Sequence, residues 1–264
     1  MTIAMMGERL ENQLLRLLRD TSVDEYERLR AQTEAVRFAQ GEVLFEAGGP
    51  ASCVYFQDDA ITALVHVLAD GRQVQVATAG AEGMVGFGAF LDFETAPLRC
   101  VVKVPGTGYR LGAAALRDAA TSGSALHAIL QRYTQYMFGQ ATRVAACASV
   151  HDVGARIATW LLMTHDRVDG DCIRVTHGFL ASLLAVRRAS VSETAEELRR
   201  TGAIDCARGR LTILDRPQLE RAACECYDSE RADYERLFRS GRATCGFPAA
   251  AAPGTIVNIV ATGT

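Results

Sequence analysis

The chain has 264 residues, a formal net charge of −3 and 49% hydrophobic residues. That length suits two compact domains, the apolar content excludes a wholly disordered chain, and the charge excludes a histone-like polycation. Lys103 is the single lysine, so any nucleic-acid contact needs a local arginine face, whose guanidinium forks suit phosphates and guanine edges.

The cysteines, at 53, 100, 147, 172, 206, 224, 226 and 245, follow no short disulfide framework and read as reduced thiols. Charged residues interrupt the first twenty positions, and no apolar run reaches the roughly 18 residues of a membrane span. A cytoplasmic protein with no membrane partner is expected.

Residues 9–19 predict a short amphipathic helix with Leu10, Leu14, Leu17 and Leu18 on one face. A polar helical piece follows to about residue 32. Between 36 and 111 the period changes to short runs of strand formers, such as Val43-Leu44-Phe45 and Val54-Tyr55-Phe56. Gly41, Gly48-Gly49-Pro50, Asp58-Asp59, Asp70-Gly71 and Gly80 punctuate them. Asp70-Gly71 predicts a two-residue hairpin turn, because both residues tolerate positive φ. Evenly spaced short strands with glycine turns predict a small antiparallel barrel or roll.

From Ser124 the strands stop. Leu126, Leu130, Tyr133, Met137, Gln140, Val144 and Cys147 recur at alternating steps of four and three. This heptad fits a helix packed on its own domain or, the preferred reading, a dimer coiled coil in which polar Gln140 sets the register. Leu126, Leu130, Tyr133, Met137, Gln140 and Val144 are then the expected dimer interface. Residues 150–165 predict another helix, with Val153, Ile157, Trp160 and Leu161 inward.

Residues 176–198 read as a helix-turn-helix. Thr176 is the N-cap of a first helix with Leu180, Leu183 and Leu184 on its apolar face and small Ala181 at the crossing. Ala185-Val186 occupies the turn, where glycine is more usual. Val191, Ala195 and Leu198 face inward on the second helix, leaving Arg187, Arg188, Ser190, Ser192 and Glu193 outward near its N-terminal end. A recognition helix meets the major groove with that end, where its dipole also favours phosphate. Arg187 and Arg188 suit guanine or phosphate, Ser190 and Ser192 phosphate, and Glu193 cytosine N4. A plain helical hairpin with a solvated Arg-Arg pair is the bland alternative. Against it stand residues 203–206 and 211–214, which read as a strand pair with Arg208 and Arg210 at the tip, a wing. Residues 174–210 carry a local charge of +3 although the chain is acidic.

A glycine-punctuated roll, a heptad helix and a winged helix-turn-helix, in that order, resemble the Crp/Fnr family of bacterial transcription regulators. The marks are Gly41-Glu42-Val43-Leu44-Phe45-Glu46-Ala47-Gly48, Asp70-Gly71, Glu82-Gly83-Met84-Val85-Gly86, residues 176–198 and Gly202-Ala203-Ile204. The resemblance covers roughly residues 10–235. It implies a homodimer whose paired recognition helices read two half-sites of a near-palindromic duplex, with RNA polymerase a further candidate partner. It also implies an effector pocket near Gly86, Phe87 and Arg99. Cyclic-nucleotide-binding members carry Gly-Glu-Leu for the ribose and an arginine for the cyclic phosphate. Here Phe87 follows Gly86, Ala96-Pro97-Leu98 stands at the arginine position, and Arg99 comes three residues late, on the opposite face of an extended strand. Ordinary cyclic AMP binding is therefore not expected, and the effector is unknown.

No cysteine precedes Cys53, so an N-terminal iron–sulfur cluster has no support. Cys224-Glu225-Cys226 is the one close pair; on a helix its side chains lie about 200° apart and cannot share a metal. The five histidines show no paired ligand spacing. No metal or cofactor is expected, nor an enzyme, since neither a nucleophile–base motif nor a phosphate loop is present. The expected class is α+β: an N-terminal antiparallel, jelly-roll-like β-roll (1–120), a long dimerisation helix (121–149), a C-terminal winged helix-turn-helix (150–235) and a flexible tail (236–264). The expected function is sequence-specific transcription regulation; the alternative is a signalling or scaffold module that uses the roll without binding DNA.

Overall fold

The computed structural model describes residues 12–168, 170–207 and 209–238. Helix α1 (Gln13–Thr21) begins at Asn12, whose side-chain oxygen accepts from the N–H groups of Leu14 and Leu15. The Asn12 Nδ2 donates to the carbonyls of Gln57 and Gly83. One buried side chain thus caps the helix and ties it to the strands. Leu14, Leu15, Leu17 and Leu18 are buried, as the apolar stripe requires; Leu10 lies outside the described residues. Helix α2 (Val23–Arg30) follows.

Eight strands come next: β1 (Glu34–Phe38), β2 (Val43–Phe45), β3 (Cys53–Gln57), β4 (Ile61–Val67), β5 (Gln73–Ala79), β6 (Met84–Val85), β7 (Arg99–Val104) and β8 (Gly106–Gly112). They form two four-stranded antiparallel sheets, ordered β1-β8-β3-β6 and β2-β7-β4-β5. The β4–β5 turn is one residue longer than expected. Leu68 N–H bonds Arg72 O around Ala69-Asp70-Gly71, and Gly71 takes φ 83°. This is a three-residue hairpin whose glycine occupies the left-handed position.

Helix α3 (Ala113–Ala119) leads into the 26-residue α4 (Ala125–Val150). Both Glu25 carboxylate oxygens accept from the N–H groups at the start of α4, Ala125 and Leu126, each at 3.0 Å. The heptad residues of α4 do not form an exposed seam. Leu126, Leu130, Tyr133, Met137 and Gln140 are buried against the chain's own roll, and Val144 is half-buried. Tyr133 Oη donates to Met84 O at 2.7 Å and accepts from Met84 N at 3.0 Å. Gln140 accepts from Thr78 N and donates to Glu230 at 2.8 Å. The period reports a buried face and not what buries it, so the preferred dimer reading of Leu126, Leu130, Tyr133, Met137 and Gln140 is corrected, while Val144 stays partly open. The face left to solvent is Ala128, Gln131, Gln135, Phe138, Thr142, Ala145 and Ser149, which keeps the same three–four spacing.

The C-terminal half comprises α5 (Val153–His165), β9 (Cys172–Arg174), α6 (His177–Leu184), α7 (Arg188–Arg200), β10 (Ile204–Ala207), β11 (Arg210–Ile213), α8 (Arg216–Ala222) and α9 (Cys226–Phe238). Its core of Ile157, Leu161, Leu180, Val191, Ile204 and Leu211 is continuous with Ala63 and Val65 of the roll, with Trp160 in the same cluster. Helix α9 then returns to the roll, where Leu237 joins the first core. The expected tail therefore starts late: Arg236–Phe238 are still helical, and residues 239–264 lie outside the described residues. A buried charge network spans the two halves. Arg167, beyond α5, pairs with Glu82 of the roll at 2.7 Å and Glu230 of α9 at 3.4 Å. Among the described residues, no helix is long and apolar enough to cross a membrane.

Candidate nucleic-acid interface

Thr176 caps α6 by accepting from Phe179 N at 3.2 Å. Leu180, Ala181 and Leu183 face the core. Ala185 closes the helix in the left-handed region at φ 52°, and Val186 N–H bonds Ala181 O at 3.0 Å. That is the glycine-type C-terminal closure made by an alanine. Val191, Ala195 and Leu198 bury the inner face of α7.

Arg187 and Arg188, at the head of α7, are exposed, and their guanidinium groups have no hydrogen-bond or ion-pair partner among the described residues. Glu193 is exposed and Ser190 half-buried. Ser192 differs from its sequence reading: its hydroxyl donates to Arg188 O at 3.1 Å and meets His177 Nδ1 at 3.0 Å. It holds α6 and α7 together instead of pointing freely outward.

The wing is β10 and β11 joined through Gly209 at φ 76°; Arg208 lies outside the described residues. Arg210 is exposed and stands directly opposite Arg174 in the β11–β9 pairing. Like charges facing each other across strands repel, and an anion between them removes the repulsion. Arg174 is absent from the sequence-derived site, because only the three-residue strand β9 brings it to the wing. A hollow of about 330 Å³ lies between α7 and the wing, lined by Thr176, His177, Arg188 and Arg210 among others. Wing, α6 cap and α7 head thus form one arginine-bearing surface.

In the roll, Gly86 takes φ 85°, and a Cβ there would lie 2.6 Å from Cys53 O. Phe87 stacks edge-on against Tyr133 with ring centres 5.8 Å apart. Ala96 is buried, its N–H bonded to Gly49 O. Arg99 is held by Glu46 at 2.6 Å.

The close cysteine pair does not sit on one helix. Cys224 precedes α9 and Cys226 begins it, so both reach the end of α4, where they meet Cys147 and His151. The 200° argument against a shared partner fails because it assumed continuous helix across 224–226.

Residues 155–222 match the Crp-like helix-turn-helix domain family, and residues 35–122 the cyclic nucleotide-binding domain family. The chain is 30% identical over 200 residues to the transcriptional regulator LdrP of Thermus thermophilus, covering 71% of this chain and 95% of that protein. The chain belongs to the Crp/Fnr family. It is a DNA-binding transcription regulator and not an enzyme. Among solved Crp/Fnr-type structures, a CRP-family transcriptional regulator from Thermus thermophilus superposes with a TM-score of 0.60 at 26% identity, over 71% of this chain and 96% of that one. FixK2 from Bradyrhizobium japonicum shares the fold at a TM-score of 0.64 and 16% identity, over 73% and 98%. The Crp/Fnr helix-turn-helix coincides with the arginine-bearing surface built above.

Proposed function

We propose that this Crp/Fnr regulator acts in the cytoplasm as a homodimer on a near-palindromic duplex, with half-sites about one helical turn apart. The observation that carries the reading is the unpartnered Arg187-Arg188 pair at the N-terminal end of α7, beside the opposed Arg174 and Arg210. Arg188 reads a base edge, Arg187 and Thr176 position phosphate with Ser190, and Glu193 takes a cytosine amino group. Arg208 and Arg210 hold the flanking backbone. The two copies meet through the solvent face of α4 around Phe138, which is 63% exposed, and RNA polymerase is the downstream partner. Buried or paired arginines at these positions would favour the scaffold alternative, and Arg187, Arg188 and Arg210 are exposed.

The effector pocket is degenerate toward cyclic AMP. A cyclic phosphate keeps one full charge, and burying it without a cation costs several kcal/mol. Arg99 is engaged by Glu46, Ala96 offers no charge, and Phe87 fills space against Tyr133.

The test is selection of bound sequences from a random duplex library, followed by anisotropy titrations. Arg188→Ala should cost about 1–3 kcal/mol on the selected site and relax one base position. Arg210→Ala should weaken all sequences alike and flatten the salt dependence. Unchanged site selectivity in Arg188→Ala would show that α7 does not enter the groove this way.

A further inference from the structure

At the junction between α4 and the DNA-binding half, three cysteines and a histidine converge from distant parts of the sequence. Cys147 lies in the last turn of α4, and His151 caps that helix. Cys224 and Cys226 come from the corner between α8 and α9. Their ligating atoms all lie within 4.8 Å of one another. Cys147 Sγ is 3.6 Å from Cys224 Sγ, and Cys226 Sγ is 3.7 Å from His151 Nδ1. These cysteines form no disulfide.

The 3.6 Å and 3.7 Å separations match the edges of a zinc tetrahedron, and the remaining ones, up to 4.8 Å, close on it with small side-chain shifts. A zinc ion binds thiolate at about 2.3 Å and imidazole at about 2.0 Å, which places neighbouring ligand atoms roughly 3.5–3.8 Å apart. Three sulfurs and one imidazole nitrogen, with no oxygen, select a thiophilic ion over magnesium or calcium. The sulfurs crowd one point, whereas the thiolates of an iron–sulfur cluster stand apart on different irons.

The surroundings fit the same ligand set. His151 turns Nδ1 to the sulfurs, and its Nε2 lies 3.2 Å from the Glu225 carboxylate. A carboxylate on the far nitrogen fixes the tautomer that leaves Nδ1 free to bind a metal. Thr159 Oγ1 accepts from Cys224 N at 3.2 Å, leaving its own hydrogen for Cys224 Sγ at 3.1 Å. Beside the cluster, a hollow of about 200 Å³ lined by Arg143, Arg156, Cys147 and Cys226 gives a route inward. Of its two arginines, Arg143 is paired with Glu230 and Asp233, which leaves Arg156 to offset the single negative charge that three thiolates leave on a divalent ion.

We propose that Cys147, His151, Cys224 and Cys226 bind one zinc ion, which clamps the α8–α9 corner of the DNA-binding half to the end of α4. Zinc takes cysteine as thiolate, so loading the site releases protons. The two residues His151 and Asp152 are all that separate α4 from α5, so the ion sits on the hinge between the halves. Regulation by metal supply would act there, far from the degenerate pocket in the roll.

The full-length protein, reduced and reconstituted with zinc chloride, should retain one zinc per chain after desalting, by elemental analysis. Cobalt(II) in place of zinc should give the visible absorption of a tetrahedral thiolate site. Cys226→Ser and His151→Ala should lose stoichiometric metal, Cys226→His should restore it, and Cys172→Ser, at an exposed position of β9, should leave it unchanged. A strong chelator should lower the Tm of the wild type and not that of Cys226→Ser. Because Cys224 is buried, its replacement is not needed for the test. Substoichiometric zinc in the folded wild type overturns the proposal, as does a Cys147–Cys224 disulfide that persists with reductant and zinc present. Full zinc retention in both Cys226→Ser and His151→Ala would overturn it equally.

Discussion

Lys103, the single lysine, sits on β7 where the roll meets α5, and only 3% of it is exposed. Its Nζ donates to Gln75 Oε1 at 3.0 Å and lies 4.5 Å from the centre of the Trp160 ring. Burial, and then the charge of Arg167, push its pKa down to about 7. An unfolded lysine titrates near 10.4, and each unit is worth about 1.4 kcal/mol, so burial costs roughly 4–5 kcal/mol at neutral pH. Above about pH 10 the amine is neutral in both states and the cost vanishes. As pH falls toward 7 the unfolded chain takes up the proton first, and stability drops. Below 7 the folded chain is protonated too, and the loss stops growing. Lys103→Met keeps the length and removes the titration. The variant gives up two hydrogen bonds, to Gln75 and the longer one to Thr78, together worth about 1–2 kcal/mol, while Trp160 Nε1 stays 3.4 Å from Gln75 Oε1. Stability at pH 7 should therefore rise by about 2–4 kcal/mol, shrinking to nothing or below by pH 10. Urea unfolding followed by the fluorescence of Trp160, the only tryptophan, reads this contact directly. Other groups titrate in the same window, so the difference between variant and wild type is the relevant quantity. Parallel pH profiles for the two proteins would refute a depressed lysine.

Phe138→Asp should give a monomer by light scattering with the roll intact and weaken operator binding, whereas Met137→Asp, one residue away, should cost several kcal/mol of stability because it buries a charge against the roll. Dissociation by Met137→Asp with no loss of stability would restore the original seam. Ala185→Gly relieves a left-handed alanine and should stabilise the DNA-binding half by about 0.5–1 kcal/mol in the urea midpoint. Arg167→Met leaves Glu82 buried without its cation, while Glu230 keeps Arg143, and should destabilise by about 3–5 kcal/mol, read by thermal unfolding.

Local chemistry was legible in the sequence because it is decided within a few residues. Glycine turns and short β-branched runs specify the roll, and Thr176, Leu180, Val191 and Leu198 specify two crossing helices whatever lies around them. The exposed Arg187-Arg188 follows from the same periodicity. What the periodicity cannot carry is the identity of the partner surface. A heptad on α4 is equally satisfied by a second helix or by the roll beneath it, and only folding placed Tyr133 on Met84 and Gln140 on Thr78. The return of α9 had no local mark either. With it came the buried Arg167–Glu82–Glu230 network and the meeting of Cys224 and Cys226 with Cys147 and His151. Those contacts join segments more than sixty residues apart, so their geometry exists only once the two cores have packed and fixed the helix ends against each other.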